Sequence, residues 1–269
     1  MEFLTLMDNI VYGEVLTAEH GLSFLIKAGG KKILFDTGQT GAILHNASYL
    51  NEELETVDLV VLSHGHYDHC GGLESFLKVN HTAKIYLKSK AMEKKYRRDY
   101  SSVGFELQKP LSEYPNEFIF IEDNVEIAPG ILLVGHINKY VETFDSMDSF
   151  FVKEDQNYIM DPFQDELFMI ISEKDKHYLF TGCSHKGILN IIKSSLELLE
   201  DAPLEFVAGG MHFNGKIVNV LDQYIEQFER LNVKHFYVNH CTGIEGYMKF
   251  KNRLNTDVTY AFTGFRYEE

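Results

Sequence analysis

The chain has 269 residues, and 45% of them are apolar, which is the share that an ordinary folded core requires. This composition excludes a disordered or a fibrous protein. There are 25 lysine and arginine residues against 40 aspartate and glutamate residues, so the formal charge is −15. Because the average field of such a chain repels polyanions, we expect no nucleic-acid partner and no association with a membrane surface.

The cysteine content predicts a reducing compartment. Three cysteines cannot form a disulfide framework for a chain of this length, and an odd number leaves at least one of them free. No lysine or arginine precedes Lys27 and no long apolar stretch follows the first residue, so no secretory signal is expected. No apolar run approaches the roughly 18 residues that span a bilayer. We therefore expect a cytoplasmic protein, while the sequence leaves its oligomeric state open.

Short apolar runs alternate with helix-like stretches along the chain, and this pattern predicts an α/β fold. A hairpin is predicted where Phe24–Ile26 and Ile33–Phe35 flank the turn residues Gly29 and Gly30. Asp58–Leu62 is predicted as a buried strand, because it is an uninterrupted apolar run between a charge and a polar motif. Seven further strands are predicted, at Ala83–Leu87, Glu117–Phe120, Ile131–Val134, Leu167–Ile171, Tyr178–Phe180, Phe206–Ala208 and His235–Val238.

Helical spacing of apolar residues predicts helices at Ile188–Leu199 and Val218–Leu231, and Val258–Phe265 is expected to be a last strand. No linker, repeat or low-complexity tract divides the chain, so one domain is expected over residues 1–269. The segment Thr143–Pro162 has no clear period. We interpret it as a loop over the functional site, with an unrecognised helix as the alternative.

One segment, the basic run, is rich in basic residues although the chain as a whole is acidic. Seven of the fifteen residues from Lys84 to Arg98 are lysine or arginine, with Tyr86 and Tyr96 among them and Tyr100 just after them. Such a run could attract an anionic substrate, and its tyrosines could stack on a ring. The alternative is a solvated helix face, which is what charge runs usually are.

Three of the twelve histidines fall within six residues, in the string Ser63-His64-Gly65-His66-Tyr67-Asp68-His69. This string directly follows the predicted strand Asp58–Leu62, and α/β folds place their chemistry at the carboxyl ends of strands. Imidazole and carboxylate groups ligate zinc, iron or manganese, and the mixture suits two adjacent ions. Packing alone gives no reason to place such groups at a buried strand end, where each needs a partner. The sequence therefore predicts a metal site.

The string His64-Gly65-His66-Tyr67-Asp68-His69 matches the His-x-His-x-Asp-His signature of the metallo-β-lactamase superfamily, which the chain resembles over essentially its whole length. Leu34–Gly38 is similar to the first motif of that superfamily, in which the aspartate, here Asp36, supports the metal site by hydrogen bonds. The resemblance implies a four-layer αβ/βα sandwich with two metal ions at one edge of its sheets.

Further strings narrow the resemblance within the superfamily. They are Glu19–Ser23, Asp165–Leu167, Thr181–Ile188, Gly209–Phe213 and Asn239–Gly243. In this order they resemble the family of 7,8-dihydropterin-6-yl-methyl-4-(β-D-ribofuranosyl)aminobenzene 5′-phosphate synthase. The substrate of that enzyme does not transfer with the resemblance.

The resemblance also implies a set of metal ligands. The first ion is expected to bind His64, His66 and His136, and the second Asp68, His69 and His240. His136 stands where the family pattern more often has a glutamate, so it either completes the first set or is neutral. Cys183 occupies the position of the bridging aspartate, where a thiolate could ligate. The alternative for Cys183 is a small buried cysteine that leaves the bridge to water.

Asp68, His185 and His212 are the expected catalytic residues. His212 lies where related hydrolases carry a histidine beside the metals, and an imidazole can protonate a leaving group at neutral pH. The alternative for His212 is a structural role, and His185 could be a ligand, a substrate contact or a supporting residue.

Together these features imply a hydrolase, or a transferase of the dihydropterin synthase type, that uses two divalent ions to activate hydroxide. Zinc is the first expectation, with manganese or iron as alternatives, and the substrate is expected to be a small, phosphate-containing anion. A di-iron redox protein and a non-catalytic metal-loaded sensor are the competing hypotheses.

Overall fold

This computed structural model describes residues 1–142, 150–213 and 217–269. Contacts between Cα atoms divide the chain into two compact units. Unit 1 comprises Met1–Glu122, Phe150–Glu166 and Phe262–Glu269, and unit 2 comprises Asp123–Ser149 and Leu167–Ala261. The single domain expected over residues 1–269 stays a prediction.

The described residues form strands and helices in frequent alternation. The strands are β1 (Glu2–Met7), β2 (Ser23–Ala28), β3 (Lys31–Phe35), β4 (Leu59–Val61), β5 (Lys84–Leu87), β6 (Lys95–Arg97), β7 (Phe118–Phe120), β8 (Val125–Ala128), β9 (Ile131–Val134), β10 (Phe150–Glu154), β11 (Asn157–Met160), β12 (Phe168–Glu173), β13 (Lys176–Thr181), β14 (Leu204–Gly210), β15 (His235–Asn239), β16 (Asp257–Tyr260) and β17 (Arg266–Glu268). The α-helices are α1 (Ala42–Tyr49), α2 (Tyr67–Cys70), α3 (Leu73–Phe76), α4 (Ile188–Leu198), α5 (Ile217–Val220), α6 (Ile225–Glu229) and α7 (Gly243–Arg253). Short 3-10 turns lie between several of them.

Unit 1 is built on a seven-stranded sheet in the order β17-β1-β2-β3-β4-β5-β7. Strands β1 to β3 pair antiparallel, and β3, β4, β5 and β7 pair parallel. The central strands are apolar at consecutive positions and buried throughout, as in Leu59–Val61, which is the pattern of a sheet covered on both faces. Ile43 of α1 and Phe76 of α3 join the side chains of these strands in one hydrophobic core. A smaller sheet in the same unit has the order β11-β10-β6.

Unit 2 contains the second seven-stranded sheet, in the order β16-β15-β14-β13-β12-β9-β8. Strands β13, β14, β15 and β16 run parallel, so their carboxyl ends lie at the same edge. Helix α4 begins after Gly187, and its apolar residues recur at helical spacing and are buried. Phe250 of α7 lies edge-on to Phe228 of α6 and Phe236 of β15, with ring centroids 4.9 and 5.1 Å apart. These aromatic contacts anchor the helices on the sheet.

The α/β fold class is confirmed, and strands occur at the hairpin, at Asp58–Leu62 and at all seven further positions predicted from the sequence. The predicted helix Ile188–Leu199 is α4. The elements that were not predicted include β1, α1, β8 and α7. Among the described residues no helix is long and apolar enough to cross a membrane.

Two predicted elements need correction. Val218–Leu231 is not one helix, because α5, a 3-10 turn and α6 follow one another there with a break at Tyr224. Val258–Phe265 is not one strand either: β16 ends at Tyr260 in unit 2, and the chain continues into unit 1, where β17 pairs with β1. In the first segment the apolar residues keep helical spacing, but the helix is interrupted at Tyr224. In the second, the backbone hydrogen bonds change partners after Ala261, because Thr263 and Gly264 donate to Ile10 and Thr5.

The interpretation of Thr143–Pro162 as a loop was wrong for the part that the structure describes. Strands β10 and β11 form an antiparallel hairpin there, and β10 also pairs with β6. Residues 143–149 of this segment lie outside the described residues.

The basic run is not a helix face, since it contains β5, a 3-10 turn and β6. Its side chains are not a uniform solvated patch. Lys88 and Lys95 are buried, while Lys84, Lys90 and Lys94 pair with nearby glutamates. Most of the expected positive charge is therefore neutralised locally.

The buried side chain of Asn46 on α1 predicts a test of how unit 1 is held together. Its amide nitrogen donates to the carbonyl oxygens of Leu6 and Thr17, at 2.8 Å each, and its oxygen accepts from the Thr17 nitrogen at 2.9 Å. Asn46→Ala should lower the free energy of unfolding by about 2–4 kcal/mol, because it strips buried backbone groups of their partners. Urea denaturation measures the change. Ser48→Ala, an exposed change on the same helix, should cost less than about 0.5 kcal/mol, and equal losses would contradict this role for Asn46.

Candidate metal centre

The four polar residues of the histidine motif, His64, His66, Asp68 and His69, lie within unit 1 immediately after β4 and are all buried. The backbone is extended at His66 and then turns into α2. The ring of His64 has its centroid 4.6 Å from that of His66 and 4.3 Å from that of His69. Three imidazoles and a carboxylate are thus concentrated at one strand end, as the sequence predicted. Nitrogen and carboxylate donors of this kind fit a divalent ion of the zinc class.

Asp36 fixes this motif from the end of β3. The backbone of Asp36 is left-handed, with φ of +58°, and its carboxylate is fully buried. One carboxylate oxygen accepts the backbone N–H of Ser63 at 2.7 Å. The other accepts the Ser63 hydroxyl at 2.7 Å and His69 Nδ1 at 2.6 Å. A histidine that donates Nδ1–H to a carboxylate presents Nε2 as its metal-ligating atom, so the ring of His69 is oriented for coordination.

Ser63 orients the ring of His64 in a similar way, through its hydroxyl group. Because its hydroxyl donates to Asp36, its oxygen accepts from His64 Nδ1, which lies 3.0 Å away. His64 therefore also carries its proton on Nδ1 and presents Nε2. Burial, with the neighbouring rings of His69 and His66 adding to it, holds the pKa of His64 well below its ordinary value. The neutral imidazole is the form that binds a metal ion.

A cluster of buried ion pairs holds the backbone of the histidine motif at Gly65. The backbone N–H of Gly65 donates to Asp165 at 2.7 Å. The ammonium group of Lys95 lies 3.1 Å from Asp165 and 3.0 Å from Asp161, and Lys95 is only 1% exposed. A side chain on residue 65 would overlap the carbonyl oxygen of Ala91, which explains the glycine between the two histidines. In the sequence analysis Asp165 appeared only within a family string, and Lys95 only within a charge run.

His20 is a further residue of unit 1 that the motif alone does not identify. Its Nε2 lies 3.3 Å from a carboxylate oxygen of Asp68, and its Nδ1 lies 3.3 Å from the side-chain amide of Asn9. The string Glu19–Ser23 was the only sequence signal for it. Glu19 itself binds the backbone N–H groups of Gln39 and Thr40, and so positions the loop that carries Gly38.

Unit 2 carries the second set of predicted site residues, at the carboxyl ends of its parallel strands. Cys183, His185, His212 and His240 are all buried. The rings of His185 and His212 lie side by side, with centroids 4.7 Å apart. His136 follows β9 and its side chain is exposed, so the structure gives no support to its predicted ligand role, which stays a prediction.

Cys241 is a residue that the sequence did not single out. Its sulfur, that of Cys183 and a ring nitrogen of His212 lie within 4.8 Å of one another, and we call these three residues the thiol cluster. Burial opposes ionisation of Cys241, but hydrogen bonds with Cys183 and His212 and the charges of His212 and His240 outweigh it, so the pKa of Cys241 lies well below its ordinary value. Only its position beside His240 could have indicated it.

The fold and the histidine motif together define the class of protein to which the chain belongs. Residues 16–187 match the family model of the metallo-β-lactamase superfamily, and the chain belongs to that superfamily. Its two large sheets with mixed α/β structure agree with the fold of the superfamily. Members are mostly hydrolases or transferases and typically bind divalent metals.

Three known proteins illustrate what this chain is similar to. An uncharacterised protein of Methanocaldococcus jannaschii is 32% identical over 256 residues, which cover 93% of this chain and 94% of the relative. The 7,8-dihydropterin-6-methyl-4-(β-D-ribofuranosyl)-aminobenzene-5′-phosphate synthase of the same organism is 26% identical over 268 residues, 93% of this chain and 90% of the synthase. A crystal structure of a metal-dependent hydrolase of the β-lactamase superfamily aligns with a TM-score of 0.84 at 29% identity, covering 100% of this chain and 99% of the hydrolase. The predicted resemblance to the superfamily and to the synthase is confirmed.

Asp36→Asn tests the orientation of the histidine rings. An amide has only one acceptor oxygen, so it cannot accept both the Ser63 backbone N–H and the pair of donors formed by His69 Nδ1 and the Ser63 hydroxyl. We therefore expect zinc affinity to fall about 10- to 100-fold. Competition with a chromophoric chelator measures this affinity. Asp58→Asn makes the same chemical change just before β4, at the opposite end from the motif, and should leave the affinity unchanged. An unaltered affinity in Asp36→Asn would remove Asp36 from the support of the site.

Lys95→Met tests the buried ion-pair cluster. Removing the ammonium group leaves two buried carboxylates facing each other, so the free energy of unfolding at pH 7 should fall by about 3–5 kcal/mol in urea denaturation. Lys94→Met, which removes an exposed neighbour paired with exposed Glu106, should cost less than about 0.5 kcal/mol. Similar losses in the two variants would contradict the role of Lys95.

We expect the loss of stability in Lys95→Met to depend on pH. Burial and Asp161 raise the pKa of Asp165 although Lys95 lowers it, so removal of Lys95 should raise that pKa further. As pH falls through the raised pKa, the carboxyl group is neutralised and the deficit of Lys95→Met should shrink. Burial lowers the pKa of Lys95, but Asp165 and Asp161 outweigh it and raise that pKa above its ordinary value. In the wild-type protein the stabilising charge of Lys95 therefore persists at alkaline pH, and it is lost only when the pH rises through this raised pKa. A deficit that grows on acidification would contradict this assignment.

Proposed function

We propose that this protein is a metal-dependent hydrolase or transferase that acts on a small anionic substrate containing a phosphate group. The observation that carries the proposal is the orientation of His64 and His69 by Asp36 and Ser63. Four buried polar groups and a buried carboxylate that directs two of them are costly to a fold unless they serve a ligand. Membership of a superfamily of metal-dependent enzymes supports the same function.

The residues that would hold the metal come from both sets described above. We propose that His64, His66, Asp68 and His69 would ligate divalent metal within unit 1, and that Cys183 and His240 would do so within unit 2. Imidazole, carboxylate and thiolate donors favour zinc, and manganese or iron are the alternatives. Such ions, when bound, supply Lewis-acid stabilisation of developing charge and lower the pKa of water toward neutrality.

The chain's own residues would then provide orientation and proton transfer. Asp36 and Ser63 keep the Nδ1 protons of His69 and His64 in place. His185 and His212, whose rings are adjacent, are the candidates to give a proton to the leaving group. Asp68 contacts His20, and this pair would hold or move a proton beside the motif.

An anionic substrate is supported by a local feature of unit 1. The guanidinium group of Arg97 donates to the Tyr67 hydroxyl at 3.3 Å, and Tyr67 stands inside the histidine motif. Arg97 is the exposed member of the basic run that lies beside the motif, and a guanidinium fork suits a phosphate group. The synthase that is 26% identical to this chain is named for a compound with a 5′-phosphate group, which agrees with this substrate class.

A substrate screen with matched variants tests the proposal. The zinc-loaded protein should hydrolyse at least one member of a panel of phosphodiesters, phosphomonoesters and lactones, and a chelator should abolish turnover. His66→Ala and Asp68→Ala should each reduce kcat/KM at least about 100-fold, since each removes a ligand. His81→Ala, an exposed histidine on a loop of unit 1, should leave it unchanged.

Metal analysis of the purified protein completes this test. Zinc or manganese at two ions per chain supports hydrolysis or transfer, whereas iron with a visible absorption band would replace it with redox chemistry. Metal without turnover on any substrate class would favour a sensor. Protein that contains no transition metal and whose stability is unchanged by chelator would overturn the proposal.

A further inference from the structure

The thiol cluster of unit 2 has a regular construction. Cys183, His212 and Cys241 follow β13, β14 and β15, and each stands two residues beyond the last residue of its strand. These three strands are neighbours and run parallel, so the same offset brings the three side chains to one edge of the sheet. Their ligand atoms lie within 4.8 Å of one another, and the residues are only 3%, 9% and 5% exposed.

The backbone around the cluster is shaped to admit the sulfur of Cys241. A side chain on residue 210 would overlap that sulfur, so a glycine at the end of β14 is required. The Ser184 hydroxyl donates to the Gly210 carbonyl oxygen at 2.7 Å, and the Met211 N–H donates to the Thr242 hydroxyl at 3.0 Å. The three loops are therefore tied to one another, and the donor atoms are held on rigid elements.

Two thiols and an imidazole in this arrangement form a recognised kind of donor set. Zinc sites with two cysteines and one histidine leave a fourth position for water or substrate. Soft thiolate donors also select zinc, or another soft ion, over magnesium, calcium or manganese. Cys183 and Cys241 lie 58 positions apart, so no short cysteine motif signals the set in the sequence.

We propose that Cys183, His212 and Cys241 form a thiolate site for a zinc-class ion within unit 2. This goes beyond the proposed function, which uses Cys183 alone and assigns His212 to proton transfer. The thiolate site makes His212 a ligand and leaves His185, beside it, as the candidate proton donor. It also adds Cys241 as a ligand and makes the metal preference of unit 2 that of a thiolate site.

Cobalt substitution tests the proposal with a readout that does not depend on activity. The metal-free full-length protein, kept reduced, is titrated with Co²⁺, because thiolate bound to Co²⁺ gives a charge-transfer band in the near ultraviolet whereas zinc is silent. We expect this band at saturation, with about half of its intensity in Cys183→Ser and in Cys241→Ser and none in the double variant. His212→Asn should keep the band and change the visible d–d absorption.

Cys70 provides the matched control. It is the third cysteine, is equally buried and donates its thiol to the His64 carbonyl oxygen at 3.0 Å, so Cys70→Ser should keep the full band. Circular dichroism shows whether each variant is folded. A wild-type protein without a thiolate band, or a folded Cys241→Ser with the full band, would overturn the proposal. Because His66→Ala should lose turnover and keep the band, failure of the thiolate site and failure of the proposed function are distinguishable.

Discussion

The buried carboxylate of Asp36 is the interaction on which the histidine motif depends. It joins the end of β3 to the end of β4 and to α2 through the Ser63 backbone, the Ser63 hydroxyl and the His69 ring. A fully buried carboxylate would be unfavourable alone, but three short hydrogen bonds to it are charge-assisted and compensate for the loss of water. The left-handed backbone at Asp36 turns its side chain back toward the neighbouring strand. The result is a pair of imidazoles whose protons, and hence whose ligand atoms, are fixed before any ion arrives.

The Lys95 cluster completes this arrangement from the opposite side of the loop. Asp165 accepts the Gly65 N–H, and the ammonium group of Lys95 pairs with both Asp165 and Asp161. The segment between His64 and His66 is therefore held at its side chains by Asp36 and at its backbone by Asp165. Buried ion pairs contribute little net stability, yet each is very costly to break, so this cluster acts mainly to keep one conformation. A loop held in this way needs no reorganisation to accept an ion.

The sequence predicted most strands of the two large sheets because their apolar runs are continuous, as buried parallel strands require. It predicted the histidine motif because its ligand types are concentrated in seven residues. It failed where the determining contact is distant in the chain. Lys95 was predicted only as one charge of the basic run, since its partner Asp161 is 66 positions away. Cys241 was missed for the same reason, since its neighbour Cys183 is 58 positions away. The helix predicted over Val218–Leu231 had the right period, but the backbone hydrogen bonds there do not form one continuous helix.

Both units place their polar groups at the ends of parallel strands, and this explains why the net charge of −15 says little about the substrate. In unit 1 the motif follows β4, whose parallel neighbours are β3 and β5. In unit 2 the thiol cluster follows β13, β14 and β15. Buried side chains at such ends are separated from the surface charge by the protein and by screening, since the Debye length in physiological salt is about 8 Å. Divalent ions held by these groups would then set the local potential, and an acidic protein could bind an anion at its most positive point.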